Sequence, residues 1–185
     1  MRKQVFPTKG NLIAMKKSLD LAVMGYELLD KKRNILLREM MLLVDNVKII
    51  RDTITQTYVE AYSALQEANI SLGVISDLTT SIPIDHGIHV KYRSVMGVEI
   101  PDIEYTENDI EMYYGYSHGN SKLDYAYHCF HKVKKATVML AEVENSVYRL
   151  ANAIRKTQKR ANALKNIVIP EYSETVKWIL SLIHI

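Results

Sequence analysis

The stretch NLIAMKKSLDLAVMGYELLDKKRNILLREMMLLVDNVKII, residues 11–50, decides the fold because its apolar residues recur every seven positions. The repeat continues beyond this stretch, and no proline follows Pro7 until Pro83. One seam consists of Leu12, Leu19, Tyr26, Arg33, Met40, Val47, Ile54, Ala61, Ala68 and Ile75, and its companion of Met15, Ala22, Leu29, Leu36, Leu43, Ile50, Thr57 and Ala64. Arg33 and Thr57 alone interrupt the pattern. A repeat sustained over so many heptads predicts a coiled-coil helix.

The segment after this helix is richer in glycine and proline and reads differently. IHVKYRSV alternates like a strand, Met96-Gly97 is a plausible turn, and VEI follows before Pro101, so we predict a β-hairpin over residues 88–100. A short helix over about 106–114 is expected to follow.

A second long helix is predicted to begin near Asn120, where Ser121 and Asp124 resemble a capping box. Its apolar repeat slips near Glu144, which indicates a stutter in the supercoil. Pro170 is expected to kink this helix or restart it, and Trp178 and Ile179 to continue its apolar stripe.

The length of the first helix determines the predicted architecture. About 68 residues at 1.5 Å each give roughly 100 Å, whereas a compact domain of this chain length has a radius of gyration of about 16 Å. We therefore predict a mostly α fold, a long antiparallel two-helix coiled coil with a small β-hairpin-containing segment at the turning end. The predicted segments are an N-terminal helix at 8–76, the hairpin and short helix at 77–119, a C-terminal helix at 120–179, and a tail at 180–185.

Composition indicates an ordinary protein of a reducing compartment. The 185 residues carry a formal net charge of +3 and one cysteine, Cys129. A mild charge does not require nucleic acid, and a single cysteine excludes an internal disulfide. The basic N-terminus lacks the apolar core of a signal peptide, and no stretch has the roughly 18 apolar residues of a spanning helix. We expect a cytoplasmic location without direct membrane insertion.

Catalytic signatures are lacking in the sequence. It contains no phosphate-binding glycine loop and no serine-hydrolase elbow. The cluster His118, His128, Cys129 and His131 could hold a metal, but zinc needs about four well-aimed ligands. We favour ordinary helix-surface residues there and expect no catalytic residue, cofactor or metal. A metal enzyme stays open as a weaker alternative.

The basic residues of the second helix have two readings. Lys156, Lys159, Arg160 and Lys165 are spread partly around the helix, and no aromatic residues interleave to stack bases. A solvated face is the simpler interpretation from the charge pattern, and a contact face for a protein partner is the other.

Three segments together resemble the D subunit of the V-type and archaeal-type rotary ATPases, the central rotor shaft. They are FPTKGNLIAMKKSLDLAVMGYELLDKKRNIL, MGVEIPDIEY and IRKTQKRANALKNIVIP, and their order and spacing agree over nearly the whole chain. The third is the most specific. The sequence departs from the family pattern at Lys159, where arginine is usual, at Ala161, where valine is usual, and at Met24 and Asp30, where basic residues are common.

The resemblance implies a non-catalytic shaft that couples ATP hydrolysis or synthesis in the head to proton or sodium movement through the membrane ring. The implied partners are the A and B subunits of the head, the small F subunit of the stalk, and the subunit that seats the shaft on the ring. It implies head contacts by Thr157, Lys159, Arg160, Asn162, Ala163, Leu164 and Pro170. It implies stalk or membrane-end contacts by Val90, Tyr92, Gly97, Val98 and Pro101. Beside the first set we also expect Ala161 to face outward, together with the small residues Asn162 and Ala163, so that the head can approach closely.

The function has one alternative, and the last six residues have a separate interpretation. A stand-alone helical-hairpin scaffold, or an adaptor peripheral to membranes, is the alternative function. Leu180 to Ile185 resemble a translated sequencing-library adapter, so we expect that these residues are foreign and that the native C-terminus is missing.

Overall fold

The computed structural model describes residues 6–75, 80–106, 113–115 and 119–183. Within these ranges the chain forms three α-helices, α1 (Lys9–Leu72), α2 (Ser121–Ala163) and α3 (Ile169–Ile183), and a π-helical turn, Leu164–Val168, that joins α2 to α3. Strands β1 (Ile88–Val95) and β2 (Val98–Tyr105) pair antiparallel between the helices. The predicted mostly helical fold with an inserted hairpin is confirmed. The predicted short helix falls mainly on residues 107–112, outside the described ranges.

The chain divides into two compact units. The terminal unit comprises Met1–Glu39 and Leu150–Ile185, and the central unit comprises Met40–Arg149.

In the terminal unit, α1 runs antiparallel to the C-terminal helical segment. The Arg33 guanidinium donates to the Gln158 side chain at 2.8 Å, and the Leu164 side chain packs beside Gly25. This first contact explains one interruption of the heptad pattern, because the seam position of Arg33 faces a polar partner rather than an apolar one.

In the central unit, α1 and α2 are also antiparallel. The Asn120 amide donates to Ser71 at 2.9 Å, and the hydroxyls of Tyr58 and Thr137 are 2.9 Å apart. One buried cluster of this helix pair is built mainly from small residues, and its members are Ala61, Ala64, Ala68, Ala126, Cys129 and Val133.

The heptad seams predicted for α1 are confirmed by burial. Every residue of both seams is buried or half-buried, and Leu36, Ala61 and Ala68 are fully buried. Thr57, the second interruption, donates its hydroxyl to the carbonyl of Thr53 at 2.7 Å. A hydroxyl satisfied by its own helix can occupy a half-buried seam position without an unpaired polar group.

The seam of α2 is also regular, and the predicted stutter near Glu144 was wrong. A run of buried or half-buried residues recurs at alternating spacings of three and four from Ala126 in α2 to Val168 in the π-helical turn. Val143, which is buried, continues the alternation beside Glu144. The seam residues are Ala126, Cys129, Val133, Ala136, Leu140, Val143, Val147, Leu150, Ile154, Thr157, Ala161, Leu164 and Val168.

The disturbance expected at Pro170 takes the form of a π-helical turn. Proline lacks an N–H, and its ring would collide with the carbonyl four residues earlier, that of Asn166. The helix widens just before it, so that the Ile169 N–H bonds the carbonyl of Leu164, five residues back. The helix therefore continues through the proline with one extra residue in the turn.

This extra residue shifts the buried seam. After Val168 the two buried residues are Val176 and Ile179, and the half-buried Tyr172 lies four residues before Val176. Ile179 is fully buried, whereas Trp178 is 48% exposed. The prediction that Trp178 continues the stripe was therefore wrong, and the prediction for Ile179 is confirmed.

The capping residue of α2 differs from the prediction. The Asn120 side-chain oxygen accepts the backbone N–H groups of Lys122 at 2.7 Å and Leu123 at 3.1 Å. Asn120 is thus the N-cap, where Ser121 was expected.

Candidate partner-binding surfaces

The hairpin has the turn that the sequence predicts. Met96 and Gly97 both have positive φ, at 51° and 76°, between the paired residues Val95 and Val98. A two-residue loop with both residues in the left-handed region matches the twist of the flanking strands.

Strand β2 is longer than predicted, because Pro101 does not end it. Val95 and Val98 flank a two-residue turn and so exchange hydrogen bonds, and bonded and non-bonded pairs alternate from there. Pro101, opposite Tyr92, falls in a non-bonded pair. Its missing N–H therefore costs the ladder nothing, and β2 continues to Tyr105.

The outward-facing backbone of β2 is held by α2. Three α2 side chains, one on each of three successive turns, take part. The bonds run from Arg149 to the Glu99 carbonyl (3.2 Å), from Ser146 to the Pro101 carbonyl (3.4 Å) and from the Ile103 N–H to Glu142 (3.4 Å). The Arg149 guanidinium also lies 5.3 Å from the centre of the Tyr92 ring. The hairpin is therefore fixed to α2 along the β2 side.

The base of the hairpin is fixed by Asp85. Its carboxylate accepts hydrogen bonds from the Lys134 ammonium, from the Gly87 N–H at 2.8 Å and from the Tyr105 hydroxyl at 3.1 Å. The Lys134 ammonium, followed by the Gly87 N–H, lowers the pKa of Asp85 to about 2. These contacts tie the loop before β1 and the end of β2 to α2.

Gly87 admits no side chain at this base. Its carbonyl accepts the Thr106 N–H at 2.9 Å, and an added Cβ would lie 2.6 Å from the Thr106 carbonyl oxygen. The close approach of the two backbones requires glycine here.

We expect the hairpin base to open in acid. Because the folded pKa of Asp85 is below the ordinary value of 3.8, its stabilisation is complete above that value and is lost as pH falls towards 2. Amide exchange at Thr106, corrected for the intrinsic pH dependence, should then rise severalfold between about pH 5 and about pH 2.5. Asp85→Asn should show the faster exchange already at neutral pH and little further change. Equal pH dependence in the variant and the parent chain would contradict this account.

The predicted stalk-end residues are not equally accessible. Val90 is 49% and Tyr92 58% exposed, Gly97 is exposed, and Val98 is half-buried. Pro101 is buried in the chain itself, so the other four are the ones available to a partner.

The predicted head-contact residues divide in the same way. Lys159, Arg160, Asn162, Ala163 and Pro170 are exposed and Leu164 is half-buried. Thr157 is buried within the chain, and so is Ala161, which is 1% exposed. The expectation that Ala161 faces outward was wrong, because it lies on the seam of α2, four residues after Thr157.

A polar network beside this surface was not predicted from the sequence. Arg33 pairs with Asp30 at 2.7 Å and with Gln158 at 2.8 Å. Gln158 in turn donates to Asn162 at 2.7 Å. The interruption of the α1 seam at Arg33 was the signal, and its effect is to hold Asn162 in place on the exposed side.

Charge is distributed unevenly along the chain. The sequence from 145 to 170 holds six basic residues and no acidic one. The terminal unit has fifteen Lys and Arg against six Asp and Glu, a net charge of +9, and the central unit has nine against fifteen, a net charge of −6. Among the described residues, neither Lys159 nor Arg160 has a carboxylate partner. A cationic surface without internal partners suits an acidic partner.

The His/Cys cluster has no metal-site geometry in the described residues. No group of three or more histidine, cysteine, aspartate or glutamate side chains converges there. Cys129 is buried in the helix pair, and His118 lies outside the described ranges. No helix in the described ranges is both long and apolar enough to span a membrane.

Comparison with known proteins identifies similar chains over almost the full length. The family model for the D subunit of ATP synthase matches residues 11–183. The D subunit of the V-type ATP synthase of Thermotoga neapolitana is 41% identical over 95% of this chain and 87% of its own. The D subunits of the A-type ATP synthases of Methanobrevibacter smithii and Thermococcus kodakarensis are 36% and 34% identical, over 94% and 95% of this chain and 77% and 84% of their own.

Proposed function

The chain belongs to the family of ATP synthase D subunits, and from this premise we propose that it is the non-catalytic central rotor shaft of a V/A-type rotary ATPase. The family match over residues 11–183, which covers both long helices and the hairpin, carries the proposal. The partners are the A and B subunits of the head, the small F subunit of the stalk, and the subunit that seats the shaft on the membrane ring. The chain is peripheral to the membrane within that complex.

The terminal unit is the part that meets the head. Its net charge of +9 attracts acidic loops of head subunits over several ångströms, before any contact is made. Lysine and arginine on flexible stems keep that attraction while the geometry changes. This property suits a shaft that must pass several neighbouring subunits without locking onto one.

The central unit presents the hairpin to the stalk partners. Val90, Tyr92 and Gly97 are exposed on the hairpin. The β2 side of the hairpin is anchored to α2 through Glu142, Ser146 and Arg149. A partner that binds there is coupled to the helix pair through fixed hydrogen bonds rather than through a loose loop.

Rotation is coupled to nucleotide state because the shaft presents different residues on its different sides. Each catalytic interface of the head meets a different set of shaft residues, so each is stabilised in a different conformation. Rotation and nucleotide state are then linked equilibria. The chain itself contributes no catalytic group to this scheme.

Reconstitution tests the proposal. The chain is mixed with the purified A, B and F subunits of a V/A-type ATPase and applied to a size-exclusion column. We expect co-elution with the F subunit and with the A/B head, and a change in the rate of ATP hydrolysis when the chain is added. A chain that elutes alone at low and at physiological salt would overturn the proposal, and liposome flotation would then test the membrane-adaptor alternative.

A further inference from the structure

The two edges of the hairpin differ in the hydrogen bonds that their outward-facing backbone makes with the described part of the chain. On β2 the outward-facing backbone is bonded by α2 side chains. On β1 the outward-facing positions are those of Ile88, Val90, Tyr92 and Ser94, because they alternate with the bonded pairs. No hydrogen bond reaches their backbone from the described part of the chain.

Strand β1 also lacks two of the devices that protect a free edge, a bulge and a proline. Its eight residues pair with β2 in unbroken register, so there is no bulge, and it contains no proline. All of its residues except Val95 are exposed. A straight edge of this length with unpaired N–H and C=O groups is a template for another strand.

The charge of β1 indicates which kind of strand would bind. The strand carries His89, Lys91 and Arg93 and no acidic residue, although it lies in a unit with a net charge of −6. Lys91 is paired with Glu104 at 2.6 Å, whereas Arg93 has no carboxylate partner among the described residues. Two copies of β1 would repel each other, and an acidic strand would be attracted.

We infer that the outer edge of β1 takes a third strand from a partner subunit, an extended segment that alternates acidic and apolar residues. Its backbone would bond the outward N–H and C=O groups of Val90 and Tyr92. Its acidic side chains would lie on the face of Arg93, and its apolar side chains on the face of Ile88, Val90 and Tyr92. The inference rests on the proposed function, since that function places stalk partners at the hairpin.

Residue-resolved amide exchange tests the inference in the assembled complex. In the free chain we expect slow exchange at Lys91 and Arg93, which face β2, and fast exchange at Val90, Tyr92 and Ser94. In the complex with the head and stalk subunits, the three fast amides should slow by at least about tenfold, as expected for amides that gain a strand partner. Unchanged exchange at these amides in a complex that still assembles would overturn the inference and leave the proposed function standing.

A proline variant separates strand pairing from other contacts. Val90→Pro removes an outward-facing N–H that is not bonded to β2, so the hairpin should tolerate the change as β2 tolerates Pro101. The loss of this N–H should weaken binding of the stalk partners by roughly tenfold or more. Val90→Thr keeps the N–H and should lose much less binding than the proline variant, because only the apolar contact of the side chain is altered. Retained protection of Lys91 and Arg93 verifies that the hairpin is intact.

Two results would contradict the inference directly. Equal binding by the proline and threonine variants would show that no backbone bond forms at this position. Protection of the outward amides in the isolated chain, growing with concentration together with a dimer in sedimentation, would show that a second copy, and not an acidic partner strand, occupies the edge.

Discussion

Replacing both Lys159 and Arg160 with glutamate is expected to weaken binding of the chain to the A/B head by about 30-fold at low salt. Both side chains are exposed, and the described structure offers them no carboxylate partner. The double reversal removes two attractions and creates two repulsions. At about 0.5 kcal/mol for each exposed charge contact, the total is about 2 kcal/mol. Titration of labelled chain with head subunits measures the change.

Salt and a matched variant show whether the loss is specific. The difference should shrink strongly towards 1 M salt, where the screening length is about 3 Å. Lys16→Glu with Lys17→Glu makes the same change in net charge at two exposed positions of α1 in the same unit. Should this control weaken binding as much, the effect would belong to net charge and not to the surface around Lys159 and Arg160.

Ala61→Leu is expected to lower the free energy of unfolding by about 3 kcal/mol. Ala61 is fully buried, and its core cluster contains Ala64, Ala126 and Cys129. Small residues at this depth allow the two helices to pack closely, and a leucine there must displace one helix or adopt a strained rotamer. Urea unfolding followed by circular dichroism measures the shift in midpoint.

The control for this change lies two residues further along the same helix. Ser63→Leu places the same side chain at an exposed position and should alter the unfolding midpoint little. If both variants unfold at the same urea concentration, the alanine core does not limit the approach of the helices.

The helices were predictable because their repeat is long and regular. Both seams of α1 could be written from the sequence, and the interruption at Arg33 marked a real polar contact with Gln158. The regularity of α2 was harder to see, because Ala136 and Thr157 occupy seam positions without the bulk that usually marks them. Ala161 was misplaced for the same reason, since a small residue is equally suited to a seam and to an exposed face.

The remaining differences come from effects that act through backbone geometry. Pro101 looked like the end of a strand, but proline is tolerated at an outward-facing position, which depends on the register set by the turn. Pro170 indicated a disturbance of the helix without indicating its form, since a kink, a new helix and a π-helical turn can each accommodate a residue that has no N–H. The partner contacts could be proposed only from the family resemblance, because the sequence of this chain does not describe the surfaces of its partners.

The π-helical turn has a practical consequence for anyone building hybrids of this helix. One residue corresponds to about 100° of rotation about a helix axis. A C-terminal segment taken from an uninterrupted coiled coil and joined after Val168 would present its apolar side about 100° away from that of Val176 and Ile179. A hybrid should therefore carry residues 164–168 together with the native segment that follows them, or replace both.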